Sequence, residues 1–234
     1  ESTESVGNRA RERTVRRLSA SGINTCQLPI IFEPAIARSV ISHLISALKG
    51  SAIYRQASFM VDAIDKKILP EWVHIMEDPH VLGGLASAPF DNEGVRTRAR
   101  HIVESGVLQG YVLDSYSARK LGMQTTANAG GVHNVRTSDR GRSLDDMIKD
   151  VGKGLLVTEL IGHGINSVTG DYSRGASGFW IEHGEIQHPV QEITIAGNLT
   201  SMFENIAEIG SDVDTRSNIQ CGSILIEGMT IAGS

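Results

Sequence analysis

The sequence predicts an α+β fold, mainly antiparallel and mixed sheets with flanking helices. Three observations carry this reading. Strand-like runs cluster, above all in the last third, without the regular strand–helix alternation of a parallel sheet. Helical segments stand apart from them, each with its own cap and 3.6-residue spacing. The 25 glycines fall in pairs, as at Gly83-Gly84 and Gly130-Gly131, or beside strand-like runs, as at Gly175 and Gly178. Such glycines supply tight turns and bulges.

In chain order, residues 6–18 read as a helix already under way at the start of a chain that opens without Met. Arg9, Arg13, Arg16 and Arg17 share one face, but Glu4 and Glu12 interleave and the chain carries a net charge of −5. A solvated helix face is expected in place of a phosphate-binding one. Residues 1–22 are therefore read as a helix continuing from a preceding N-terminal domain, and 23–234 as one C-terminal domain.

Residues 26–32 form an apolar run that reads as a strand. Pro34 suits the first position of a helix. Ile36, Val40, Ile41, Leu44, Ile45 and Leu48 then recur at three- and four-residue steps, with Ser39, Ser42, His43, Ser46 and Lys49 opposite and Gly50 as the expected C-cap.

Residues 72–76 read as a strand and 78–92 as a Gly- and Pro-rich loop. Strands are expected at 95–103 and 107–113, joined by Glu104-Ser105-Gly106. Asp114 or Ser115 caps a short helix ending near Gly122, and Ser143 caps another with Asp145 and Asp146 in its first turn. Strands follow at 154–161, 176–182 and 185–196, the last two turning at His183-Gly184. Asn198 or Thr200 opens a helix whose apolar stripe is Leu199, Met202, Phe203, Ile206 and Ile209, stopped by Gly210. Residues 223–231 close the domain as a strand.

No run of 18 apolar residues is present, so no membrane span is expected, and in the polar residues Glu1-Ser2-Thr3-Glu4 no secretory signal is visible. The two cysteines, Cys26 and Cys221, form no CxxC pair and read as free thiols of a cytoplasmic protein. No GxSxG elbow or Walker loop occurs, and Gly152-Lys153-Gly154 is too short for a phosphate cradle. Glu182, Glu185, Asp212 and Asp214 read as solvated turn residues.

Gly170-Asp171-Tyr172-Ser173-Arg174-Gly175-Ala176-Ser177-Gly178-Phe179-Trp180 closely resembles a signature of the PmbA/TldE family. So do Pro189-Val190-Gln191-Glu192-Ile193-Thr194-Ile195-Ala196-Gly197-Asn198-Leu199, the end Met229-Thr230-Ile231-Ala232-Gly233, and upstream Gly50-Ser51-Ala52-Ile53-Tyr54-Arg55 with Ser58-Phe59. The likeness covers nearly the whole chain. It implies the C-terminal half of a subunit of the TldD/PmbA metallopeptidases, once called modulators of DNA gyrase, which trim peptides and unfolded segments. Members are about twice this length.

The resemblance also implies a catalytic partner, TldD, with a His-Glu-x-x-x-His motif in which two imidazoles hold zinc and the Glu serves as base. The matching stretch here puts Ile41, Ser42 and Ser46 at the two ligand positions and the base position. No catalytic or metal residue and no cofactor is therefore expected in this chain, with zinc in the TldD-like partner. His43 lies out of register and reads as a helix-face histidine. Thr158-Glu159-Leu160-Ile161-Gly162-His163 imitates the motif with Thr for the first His, in a strand region. Cys221 lies near the partner's third ligand, a Cys, but not at its position, and a buried inert thiol is expected.

Tyr172, Arg174, Gly175 and Gly178 are the expected substrate-binding residues. Glycine-exposed backbone could take a peptide as an added strand, and Arg174 could pair with a carboxylate. The closing segment 219–234, free of Lys and Pro, suggests open strand edges. The expected partners are a TldD-like catalytic subunit and a peptide or unfolded protein substrate, with possible homo-oligomers of the isolated chain and neither nucleic acid nor membrane. Two other readings remain: a metallopeptidase acting alone through unrecognised ligands such as His163 and Cys221, or a binding protein for gyrase or DNA.

Overall fold

The computed structural model describes residues 2–233. The run Cys26–Phe32 is strand β1, and Pro34 opens helix α2 (Pro34–Ala47), which follows the N-terminal helix α1 (Thr3–Val15). Gly50 does not cap α2. Leu48 does so in right-handed conformation, and Gly50 begins the short helix α3 (Gly50–Ile53). Next come β2 (Ile75–Asp78), β3 (Arg100–Glu104), β4 (Val107–Leu108), α4 (Ser115–Leu121), β5 (Asn134–Thr137) and α5 (Leu144–Val151). The last third holds β6 (Lys153–Ile161), β7 (Asp171–Glu182), β8 (Glu185–Asn198), α6 (Leu199–Glu204), β9 (Ile206–Ile209), β10 (Ile219–Gln220) and β11 (Ile224–Ala232).

Local chemistry explains the boundaries that sequence placed well. The Asp114 side chain accepts the Ser117 amide, and Gly122 ends α4 in the left-handed conformation. Ser143 and Asp146 complete a capping box on α5. Both two-residue hairpins need two positive φ angles in a row, supplied by Ser105 and Gly106 and by His183 and Gly184.

The first sheet closes on itself. β1 pairs with β6 in parallel and with β11 antiparallel, while β6–β7, β7–β8 and β8–β11 are antiparallel. These five pairings form a ring, with β9 added along the Ile224 end of β11. A closed ring of five strands needs an odd number of parallel neighbours, and β1–β6 is that one. The second sheet runs β10-β5-β2-β3-β4, parallel only at β10–β5.

Residues of the β1 run are buried on both faces. Ile30 and Phe32 join the main core, whereas Ile31 meets Leu156, Phe179 and Ile181 under α5. This explains an uninterrupted apolar sequence in place of alternation. α2 lies between the sheets, touching β6 of one and β10 of the other, and Val40, Ile41 and Leu44 are fully buried there.

Several expected elements are displaced. The strands expected at 72–76, 95–103 and 107–113 shrink to β2, β3 and β4. The helix expected to run to Gly210 stops at Glu204, because Ile206, Glu208 and Ile209 pair with β11 instead. β5 and β10 were not expected at all. α1 is a helix as expected but stops at Val15, short of the expected 18 and of residue 22, and buries no residue. It is tied down by Arg13 to Glu33, Arg17 to Glu159, and the Arg16 guanidinium over the Phe179 ring.

Candidate functional site at the junction of α2 and β7

Tyr172 and Arg174 are two apart on β7 and so point to one side of the sheet. His43, on α2, meets them there. Its ring packs edge-to-face on Tyr172, with centroids 6.2 Å apart. Tyr172 is 1% exposed, while His43 and Arg174 keep part of their surface.

Each of the three carries a buried polar atom with no hydrogen-bond partner among the described residues: His43 Nε2, Tyr172 Oη and Arg174 Nε. Most buried polar atoms in proteins are paired, so three orphans on touching residues set this junction apart. Burial, then the Arg174 charge, pushes the His43 imidazole down to about 4, so it is neutral at pH 7. Burial pushes the Tyr172 phenol up to about 12, with the guanidinium charge opposing the rise. Among the described residues no carboxylate forms an ion pair with Arg174.

The β6–β7 connection flanks the junction. It folds back on β7 through Ser173 N to Gly164 O at 2.7 Å and a bridge between Ile165 and Tyr172. The Phe59 amide donates to Ser167 O, and the Asn198 side chain donates to Thr169 O.

Strand addition at Gly175 and Gly178 meets an obstacle. β7 is paired on both sides, with Gly175 between Ile161 and Thr194, and Gly178 between Val157 and Val190. A Cβ at Gly178 would overlap the Leu156 carbonyl oxygen, so this glycine serves close strand packing. The edges expected in the closing segment are also mostly covered, because β11 pairs with β1, β8 and β9.

The residues on α2 do not fit a metal. Ile41 is fully buried among apolar neighbours, Ser42 donates to Arg38 O, and Ser46 is exposed. His43 faces a guanidinium, which repels a cation. His163 is exposed beyond the end of β6, on which Thr158 lies, and Cys221 is buried, its thiol pushed up to about 12 chiefly by burial. Among the described residues no three His, Cys, Asp or Glu side chains are grouped to hold an ion.

Sequence reasoning singled out Tyr172 and Arg174 but left His43 as a helix-face histidine. The structure places it half-buried against them. The signal available was a histidine one step from the buried Leu44 on an amphipathic helix, which alone does not say what it meets.

Residues 25–233 match the family model described as the PmbA/TldA metallopeptidase C-terminal domain. The chain is 53% identical to Metalloprotease PmbA of Escherichia coli O157:H7 over 230 residues, covering 98% of this chain and 51% of that protein. A crystal structure from Bacteroides thetaiotaomicron, described as that of a modulator of DNA gyrase, superposes with a TM-score of 0.93 at 33% identity, covering 97% of this chain and 52% of the other. TldE from Thermococcus kodakarensis superposes with a TM-score of 0.85 at 27% identity, covering 98% and 55%. The chain thus spans about half the length of the curated relatives it matches.

Proposed function

The chain belongs to the PmbA/TldA metallopeptidase C-terminal domain family, and on that footing we propose that it is the PmbA/TldE-type subunit of a heteromeric peptidase acting on peptides and unfolded segments. In this reading the chain completes the substrate chamber, and a TldD-like partner supplies the zinc, the base and the activated water. The complex is cytoplasmic. No helix among the described residues is long and apolar enough to cross a membrane.

The observation that carries the proposal is the α2–β7 junction. Where a metal-holding helix would present imidazoles and a carboxylate, α2 presents Ile41, Ser42 and Ser46, and the neighbouring His43 sits beside Arg174. Such a site can position a peptide, but it offers neither a set of metal ligands nor a carboxylate base. The likeness to TldE supports the same subunit assignment. A net charge of −5 over these residues disfavours the DNA-binding alternative.

The test is reconstitution. The chain alone is expected to leave an unfolded peptide uncut, and the chain mixed with a TldD-like subunit to cut it. A Glu→Ala change in the partner's motif should abolish cleavage. Cleavage that survives this change, or cleavage by the chain alone, overturns the proposal.

A further inference from the structure

Three orphaned polar atoms around one cation make an incomplete constellation. Arg174 Nε is a donor with no acceptor, buried on a half-buried side chain. Tyr172 Oη, on a residue 1% exposed, lies beside the Arg174 guanidinium, which opposes the rise of its pKa, yet meets no partner at full hydrogen-bond geometry. His43 Nε2 completes the set from the facing helix. A half-buried guanidinium without a counter-charge is unfavourable, and so is a buried donor without an acceptor. A ligand that removes all of these costs at once must accept several hydrogen bonds and carry negative charge. Water can satisfy single atoms but brings no charge.

The geometry points to a carboxylate-binding site formed by His43, Tyr172 and Arg174, whose ligand is the carboxylate of a peptide. Arg174 supplies the charge and the planar fork that suits a carboxylate. The Tyr172 hydroxyl and the N–H of a neutral His43 supply the remaining donors. The Arg174 charge is what keeps that imidazole from being protonated while the site is empty, after burial itself. A bound anion offsets that charge, so occupancy makes His43 easier to protonate. That the carboxylate arrives on a peptide rests on the peptidase reading, whereas the carboxylate chemistry does not.

The experiment uses the full chain without any partner. Calorimetric titration compares N-acetyl-trialanine bearing a free C-terminus, its C-terminal amide, and an acetylated amide with a central Glu. At least one carboxylate-bearing peptide is expected to bind about tenfold or more tightly than trialanine amide, as one charge-assisted hydrogen bond implies. Which of the two binds distinguishes a chain end from an acidic side chain. Arg174→Gln should remove this preference, and Tyr172→Phe, which deletes only the hydroxyl, should weaken it should the first variant unfold. In proton NMR the His43 ring should titrate above its ligand-free midpoint of about 4 once the peptide is bound. A purely structural role for Arg174 would not produce that shift. Equal binding of acid and amide, or a preference unchanged in both variants, overturns the assignment. Binding is read without cleavage, so a failed reconstitution with intact carboxylate binding counts against the subunit reading alone.

Discussion

His43 shows how much one side chain's surroundings can alter its chemistry. An exposed helix-face histidine would carry charge below about pH 6.5. Here burial and the Arg174 guanidinium hold the ring neutral down to about pH 4. The sign of the consequence is fixed. Above about pH 6.5 the ring is neutral in both folded and unfolded chains and adds no pH dependence. As pH falls from there to about 4, the unfolded chain takes up a proton that the folded chain refuses, so stability drops across that window. The loss is on the order of 1 kcal/mol after discounting for the ring's partial exposure. Urea unfolding at steps between pH 7 and pH 4 should show this slope, and His43→Gln should flatten it. Equal slopes in the two proteins would mean that the imidazole is not shielded as described.

β7 carries two glycines, three positions apart, that do different work. At Gly175 an added Cβ would find Ile161 Cβ at 3.4 Å and Ile161 O at 3.5 Å, which is ordinary contact. At Gly178 it would overlap the Leu156 carbonyl where β6 presses closest. Gly175→Ala is therefore expected to change stability by less than about 1 kcal/mol, and Gly178→Ala to cost more than about 2 kcal/mol through overpacking. Chemical denaturation of the two variants decides this. Elements announced by local chemistry were legible from sequence: α4 between Asp114 and Gly122, α5 behind Ser143, and the turn at His183-Gly184. Elements that exist only through distant pairing were not. Ile206 and Ile209 continue the stripe of α6 at helical spacing, yet β11 draws them into β9. β5 and β10 are held by each other and by β2, which no local pattern reveals. The candidate site divides in the same way. Tyr172 and Arg174 lie close together in one recognisable segment, whereas His43 joins them only when α2 packs on β6 and brings its ring against Tyr172.

Across the whole molecule, stability should be unevenly spread. β1, β6 and β11 have neighbours on both edges and side chains in the core, whereas α1 buries nothing and rests on ion pairs and one cation–π contact. Exposed ion pairs contribute little. In hydrogen-exchange mass spectrometry α1 should exchange orders of magnitude faster than β1 and β11, which should exchange last. Comparable protection would show that α1 is docked more firmly than its contacts imply. The ring of strands also sets an order of events during synthesis. β1 leaves the ribosome before its partners β6 and, through Cys26 with Ile231, β11. Until β11 emerges, the apolar run Ile30-Ile31-Phe32 has one backbone edge open and ready to pair with any passing nascent chain. The same closure that gives the five ring strands neighbours on both edges makes β1 wait for β11 during synthesis, and leaves the growing chain dependent on being shielded until that strand arrives.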